Sequence, residues 1–419
     1  MAVRKITPAV PSVNYLHRLS RGGRDDLRPA TQDHLAKSFG RANRRMILRA
    51  SLIGRRRTGS RRESRFSRSR GETAWNEGRS MDSAAGPPRA DLVLEGGGVK
   101  GIALVGAIAE MEARGYRPGA PARVAGTSAG AIVGSLLAAG MPVPDMVRVM
   151  RELDYRPFQD GSRFALVRGV SLLATLGLHR GDVLHRWIAA RLKECGVETF
   201  GQLKLHDPDS ALPPRHAYKL VVVVSDVSSG RMVYLPWEYE RYGLNADDQS
   251  VADAVRASAS IPVFFRPCRI CRGDGKKCVL VDGGMLSNYP ITIFDREDRE
   301  PRWPTFGVKL SARTPPGGLF QPWHGVRGPI GYGRALVSTM AEAHDRARMD
   351  EPSIVARTMF ARTDDVLATD FDLGAAARDR LYVAGRDAAA RFLDHWDHRD
   401  YLARYRMPVP RPRSGAAVD

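Results

Sequence analysis

The chain has 419 residues, of which 43% are hydrophobic and 26% are charged; this composition is typical of globular proteins and excludes collagenous, membrane-embedded and wholly disordered classes. No uninterrupted apolar run reaches the length of a membrane span, and four cysteines are too few for a disulfide scaffold, so we expect a cytoplasmic protein. The net charge of +19 is concentrated in residues 1–80, where 20 Lys and Arg against 6 Asp and Glu leave +14.

This basic segment contains the runs Arg55–Arg57 and Arg61–Arg70, with many serines and no apolar periodicity. It cannot bury enough apolar surface to become ordered, so residues 1–87 are predicted to be a disordered tail. Translation that begins at Met81 is a second interpretation of the same composition. The charge suits an anionic membrane surface or nucleic acid; peripheral contact with a membrane is the interpretation we keep, and nucleic acid is not expected.

From residue 88 onward, short apolar runs alternate with helical stretches, which indicates an α/β sheet with parallel strands and crossover helices. The predicted strands are Ala90–Glu95, Arg123–Ala125, Lys219–Val224, Val279–Val281 and Thr305–Leu310. The predicted helices are Gly101–Arg114, Ala129–Ala139, Gly181–Glu194 within a mostly helical region at 142–205, Gly333–Met349 and Gly374–Trp396. We expect one three-layer domain over residues 88–400, followed by a tail at 401–419.

A glycine run, Gly96–Gly98, follows the first predicted strand, and with Gly101 it also matches the turn of a dinucleotide-binding fold. That fold needs an acidic residue about twenty positions further on, whereas residues 116–130 contain no Asp or Glu. The run is therefore better interpreted as an oxyanion hole, in which backbone N–H groups stabilise a tetrahedral intermediate.

The segment Gly126–Gly130 reads Gly-Thr-Ser-Ala-Gly and lies between a predicted strand and a predicted helix. This placement is typical of a nucleophile elbow, a sharp turn that presents a serine hydroxyl at a helix N-terminus. The pattern predicts that Ser128 is a catalytic nucleophile. An apolar stretch further on, at residues 164–176, is expected to pack in the core or to line an acyl channel near this serine.

Three cysteines cluster at Cys268, Cys271 and Cys278. A structural zinc site needs four ligands, and no further Cys or His lies nearby, so we expect no metal. The Asp274–Gly275 pair favours a two-residue hairpin turn that would place Cys271 opposite Cys278. Unligated thiols or an opportunistic disulfide are the expected state.

Asp282 ends a buried apolar run and is followed by Gly283 and Gly284. The carboxyl ends of parallel strands collect catalytic groups in α/β sheets, and a desolvated carboxylate has a raised pKa that suits a general base. An ordinary turn aspartate is the alternative. Because the predicted serine nucleophile lacks a base, we interpret Asp282 as that base.

Taken together and in this order, four segments resemble the patatin-like phospholipase family: Gly96–Gly101, Gly126–Gly130, Ala257–Pro262, and Asp282–Gly284 with Asn288 and Pro290. The resemblance covers about residues 90–310 and implies a patatin-like sandwich with a mostly parallel central sheet. It implies that Ser128 and Asp282 form a catalytic dyad without histidine, and that Gly96, Gly97 and Gly98 form the oxyanion hole.

The same resemblance implies a serine-dependent lipid acyl hydrolase, a phospholipase A-like esterase, that acts on phospholipids or other acyl-ester lipids without a cofactor. Two alternatives remain open at this point. One is an α/β-hydrolase whose triad histidine would be His324, His344, His395 or His398, although that fold places several strands before its elbow. The other is a non-catalytic protein that binds lipid or nucleic acid.

Overall fold

A computed structural model describes residues 88–116, 122–161, 175–207, 212–296, 298–311, 339, 351–363 and 366–406. All of them belong to the compact unit that spans Met81–Asp419. The predicted tail at 1–87, most of the apolar stretch at 164–176 and all but one residue of the predicted helix Gly333–Met349 lie outside the described residues.

Ten strands and eight α-helices are found among the described residues. The strands are β1 (Asp91–Leu94), β2 (Val124–Thr127), β3 (Gly177–His179), β4 (Leu220–Asp226), β5 (Arg231–Leu235), β6 (Val263–Phe265), β7 (Cys268–Cys271), β8 (Lys277–Asp282), β9 (Thr305–Lys309) and β10 (Thr358–Phe360). The helices are α1 (Gly101–Ala113), α2 (Ala129–Ala138), α3 (Val143–Glu152), α4 (Asp182–Glu194), α5 (Val251–Ser258), α6 (Pro352–Val355), α7 (Ala375–Leu393) and α8 (His398–Tyr405).

The central sheet has the order β10-β9-β1-β2-β4-β8-β7, and β5 also pairs with β4. Strands β10, β9, β1, β2 and β4 are parallel, whereas β5, β8 and β7 are antiparallel to their neighbours. The predicted mixed α/β fold with a mostly parallel sheet is therefore confirmed.

The two faces of the sheet bury different side chains because successive strand residues point in opposite directions. Leu92, Val124 and Leu220 face the main core, which also contains buried residues of α1, α2 and α7. Val93, Ala125 and Val221 face a smaller core, which contains Tyr289, Ile291 and Phe294 of the 289–294 segment together with Ile354 of α6. The sheet thus lies between a helical layer and a thinner second layer.

The position of β8 on β4 is what brings distant parts of the chain together. Val222 and Val223 of β4 pair with β2 on one side and with β5 on the other. Further along β4, Val224–Asp226 pair with β8 and with β5. A strand has only two edges, so β2 and β8 share one edge of β4. Thr127 is the partner of Val223 and Asp282 is the partner of Val224, which means that the carboxyl ends of β2 and β8 meet head to head.

Two predictions about this region were wrong. The strand that carries Asp282 runs antiparallel to β4 rather than parallel. In the β7–β8 hairpin, Cys271 pairs with Lys277, and Ile270 pairs with Cys278. The turn closes one residue earlier than expected, since Arg272 N–H donates to the carbonyl of Lys276 (2.8 Å), and a shift of one residue moves side chains to opposite faces.

The four cysteines are consequently free thiols, with Cys271 exposed and Cys278 buried. At the other end of the domain, α8 crosses the expected boundary at residue 400. Tyr401 is buried, and Arg406 forms an ion pair with Asp295 (2.9 Å), so the packed structure continues to residue 406.

Candidate active site

Ser128 lies in a sharp turn between β2 and α2. Its backbone angles are φ 52° and ψ −117°, a strained conformation for a residue with a side chain. A Cβ atom on Gly126 would lie 2.2 Å from the carbonyl oxygen of Gly130, and one on Gly130 would lie 2.2 Å from the carbonyl oxygen of Leu94. Only glycine fits at either position, which explains the Gly-x-Ser-x-Gly spacing physically.

Asp282 reaches Ser128 because β2 and β8 end at the same point on β4. Both residues are 6% exposed. The pKa of Asp282 is raised from 3.8 to about 6. Burial causes the rise, and it outweighs the lowering effects of the Ser128 side chain and of the Gly284 N–H. The Gly284 N–H donates to Asp282 Oδ1 over 2.8 Å. The structure therefore brings together the predicted nucleophile and the predicted base, and desolvation keeps the base only weakly acidic.

The C-terminal end of α5 holds the backbone of both residues. The Ser128 N–H donates to Ser258 Oγ (2.9 Å), and Ser258 Oγ donates to the carbonyl of Val223 (2.6 Å). The Asp282 N–H donates to the carbonyl of Ser260 (3.0 Å). Ser258 and Ser260 lie in the family-like segment Ala257–Pro262, but nothing in their local sequence indicates what their oxygens contact.

Arg256, one turn before Ser260, fixes this segment to its surroundings. It is buried, and its guanidinium donates to Ser260 Oγ and to the carbonyls of Arg180, Gly181 and Arg266. These contacts join the start of α4, the end of α5 and the end of β6. A buried charge that is satisfied by several oxygens holds such loops in one arrangement.

The three glycines of the predicted oxyanion hole differ in their contacts. The Gly96 N–H already donates to the carbonyl of Asn288 (3.2 Å), and Asn288 Nδ2 donates to the carbonyl of Gly96 (3.0 Å). Among the described residues, the N–H groups of Gly97 and Gly98 have no backbone acceptor. Gly98 has φ +57°, and a Cβ on it would lie 1.9 Å from the carbonyl oxygen of Ala368. Gly97 and Gly98 are thus the members of the run whose N–H groups are available to donate a hydrogen bond to a substrate oxygen.

Glu95 anchors the glycine run to β9. Its side chain is 4% exposed and accepts hydrogen bonds from Lys309 Nζ and from the Leu310 N–H. The Leu310 side chain in turn packs against Gly97, since a Cβ on Gly97 would lie 2.4 Å from Leu310 Cδ1. The role of Glu95 could not be identified from the sequence, because its partners lie more than 200 positions away in the chain.

An apolar pocket opens beside Ser128 and Gly98. Its walls include Ile132 of α2, Met150 of α3, Leu184 of α4 and Phe371 of the loop before α7. The cavity volume is about 50 Å³. Such a lining excludes charged groups and suits a hydrocarbon chain.

The histidines of the alternative triad do not line this pocket in the part of the chain that the structure describes. His324 and His344 lie outside the described residues. His395 is exposed, and the ring of His398 lies 6.3 Å from that of Trp396. Trp396 packs on Phe306 (4.9 Å) near the amino end of β9, whereas Ser128 follows the carboxyl end of β2.

Across the described segments, no group of three or more His, Cys, Asp or Glu side chains is arranged to hold a metal ion. Within the same segments, no helix has the length and apolar character needed to cross a membrane.

In sequence, the chain is similar to a known family and to several known proteins. A family model described as "Patatin-like phospholipase" matches residues 92–295. The chain is 36% identical over 313 residues to the uncharacterized protein YqhO of Bacillus subtilis (strain 168), which covers 74% of this chain and 99% of that protein. It is 27% identical over 231 residues to the cUMP-AMP-activated phospholipase of Escherichia coli, which covers 48% of this chain and 56% of that protein.

Two solved structures are similar to part of the chain. VipD from Legionella pneumophila superposes with a TM-score of 0.43 at 20% identity, covering 74% of this chain and 67% of that chain. The type III effector protein ExoU superposes with a TM-score of 0.38 at 17% identity, covering 74% of this chain and 53% of that chain.

Proposed function

The chain belongs to the patatin-like phospholipase family, a family of lipid hydrolases, and from that premise we propose that it hydrolyses acyl-ester lipids through a Ser128 acyl-enzyme with Asp282 as the general base. The observation that carries the proposal is the position of Ser128, in its strained turn, beside the buried carboxyl of Asp282, whose pKa the Ser128 side chain lowers. No histidine is needed for this proton transfer.

In the first half of the reaction, Asp282 accepts the proton of the Ser128 hydroxyl as its oxygen attacks the ester carbonyl carbon. The N–H groups of Gly97 and Gly98 donate to the oxyanion that forms, and the N-terminus of α2 adds a favourable dipole. When the intermediate collapses, the proton on Asp282 passes to the leaving alcohol, which departs and leaves the acyl group on Ser128.

In the second half, water takes the place of the alcohol. Asp282 removes a proton from this water as it attacks the acyl-enzyme, and returns the proton to Ser128 when the carboxylic acid leaves. A base with a pKa of about 6 is largely ionised at pH 7 and still has some affinity for a proton, which is what general base catalysis requires.

We further propose that the enzyme meets its substrate at a lipid surface. Leu176 and Leu367 are each 54% exposed. Leu176 precedes β3, which pairs with β6, and Phe264 of β6 stacks on Phe371, four residues after Leu367 (4.9 Å). Because Phe371 lines the pocket, these exposed apolar side chains belong to its surroundings. Exposed apolar groups of this kind partition into the boundary region of a membrane.

The proposed function is tested by incubating the purified protein with phospholipids, lysophospholipids, triacylglycerols and short-chain esters. We expect hydrolysis that is lost in both Ser128→Ala and Asp282→Asn. The matched control is Ser229→Ala, which changes an exposed serine in the turn after β4 and should keep full activity. Hydrolysis of none of these esters, or activity that survives in Ser128→Ala, would refute the proposal.

A further inference from the structure

The depth of the apolar pocket can be read from the helices that build it. Each of three helical segments contributes a pair of side chains three residues apart, and the pairs are Ala129 and Ile132, Met150 and Leu153, and Leu184 and Trp187. Residues three apart on a helix are neighbours on one face and differ by roughly 5 Å in height. The next residues of α2 along that face, Ser135 and Leu136, do not line the pocket. The cavity of about 50 Å³ is therefore lined by about one turn of each helix.

Three aromatic side chains in successive contact line one wall of the pocket. Tyr155 lies nearest to that run, because its hydroxyl donates to the carbonyl of Val99 (3.4 Å). The ring of Phe158 lies 6.1 Å from that of Tyr155, and the ring of Trp187 lies 6.1 Å further on. Tyr155 thus contacts the segment after the glycine run, and Trp187 is joined to Tyr155 only through Phe158.

The exposure of these side chains shows which of them forms the outer boundary. Tyr155, Phe158 and Leu184 are buried, whereas Trp187 is only partly buried. One side of the indole therefore faces the pocket and another side faces solvent. Removal of the indole would open the pocket on the side that faces solvent, while the adjacent Ile188 stays fully buried in the core.

Resting on the proposed function, we propose that Trp187 limits the length of the acyl chain, and that the enzyme accordingly prefers esters of short acyl chains over long ones. An acyl group on Ser128 enters a pocket lined by about one turn of each helix. A short chain fills this space, whereas a longer chain meets the indole of Trp187 and must displace it from Phe158.

The test compares kcat/KM for the p-nitrophenyl esters of butyrate and dodecanoate in the wild-type protein and in Trp187→Ala. We expect the wild type to prefer butyrate, and we expect Trp187→Ala to raise the dodecanoate-to-butyrate ratio by about tenfold or more, because misfit of even one methylene in a closed pocket changes kcat/KM by about 10–200-fold. The matched control is Trp303→Ala, which removes an indole that contacts Arg89 and Arg302 instead of the pocket; its ratio should equal that of the wild type.

Ile132→Phe tests the same idea in the opposite direction, since it fills the pocket from α2 and should lower the rate on butyrate relative to acetate. It also decides the matter if Trp187→Ala does not fold. A folded Trp187→Ala with the wild-type ratio would overturn the role of Trp187 in chain length, and an Ile132→Phe variant with unchanged preference would overturn the placement of the acyl chain in this pocket. Absence of Ser128-dependent hydrolysis of every ester would instead overturn the proposed function, and the chain-length proposal with it.

Discussion

Replacing Asp282 by asparagine is expected to abolish hydrolysis and, at the same time, to stabilise the folded protein above pH 6. Asparagine has the size of aspartate and can still accept the hydrogen bond that the Gly284 N–H donates, but it cannot take the proton of Ser128. Because the members of one proton-transfer unit fail together, we expect activity to fall as far as in Ser128→Ala.

The size of the stabilisation follows from the burial of the carboxyl group. Burial raises the pKa of Asp282 from 3.8 to about 6, so between these pH values the folded protein holds a proton that the unfolded chain has released. The free energy of unfolding of the wild type therefore decreases as the pH rises through this window, by about 3 kcal/mol in total. The asparagine variant lacks this titration, so it should be about 3 kcal/mol more stable than the wild type at pH 8 and equally stable near pH 4.

Urea denaturation at pH 4 and pH 8, followed by circular dichroism, measures this difference directly. Ser128→Ala is the control, because it is inactive but keeps the buried carboxyl group and should lose stability with rising pH as the wild type does. The same pKa predicts that kcat/KM of the wild type is constant above pH 7 and falls about tenfold per pH unit below pH 6. An asparagine variant that is no more stable at pH 8, or one that still hydrolyses esters, would refute the assignment of Asp282 as a buried base.

Three further changes test the surroundings of the dyad, and a fourth tests the extent of the domain. Glu95→Gln should lower kcat with little change in KM and should reduce stability by about 3 kcal/mol, as loss of one partner of a buried pair does; steady-state kinetics and urea denaturation check both, and an unchanged kcat would contradict the anchoring role. Gly98→Ala should lower turnover at least a hundredfold, whereas Gly115→Ala, at another positive φ but with open space around it, should not. Ser258→Ala should lower kcat rather than raise KM, and equal changes in both would argue for a merely structural role. A protein that begins at Met81 should keep its activity on soluble esters and lose salt-sensitive binding to anionic vesicles; inactivity would show that the preceding residues are needed for the fold.

The sharp turn at Ser128 and the central strands could be predicted from the sequence because most of their signals are local. Gly126 is required by a close contact with Gly130 inside the five-residue motif, and Gly130 is required by the carbonyl oxygen of Leu94 at the end of the neighbouring strand β1. The strands β1, β2, β4 and β9 are short apolar runs, and they form within two residues of the predicted bounds. A steric requirement for glycine and the burial of a strand both restrict the residue type at the position concerned, so both can be recognised from the sequence.

The direction of β8 could not be predicted in this way, because the apolar run before Asp282 has the same composition in a parallel or an antiparallel strand. The register of the β7–β8 hairpin was missed for a related reason, since Asp274–Gly275 serves either a two-residue or a three-residue turn. The contacts of Glu95 and Ser258 are set by residues far along the chain. Sequence patterns show what a segment prefers, but the pairing of distant segments decides which oxygen meets which N–H.

The place of β1 between β2 and β9 determines when a newly made chain can become active. Glu95 and Lys309 are 214 residues apart, and a ribosome that adds about 5–20 residues per second needs about 10–40 s to make that interval. Until β9 emerges and pairs with β1, nothing holds the glycine run against Leu310, even though the elbow and its serine were completed long before. A chain released before Thr305 would therefore carry the proposed nucleophile without the proposed oxyanion hole, and we expect premature termination to yield an inactive fragment.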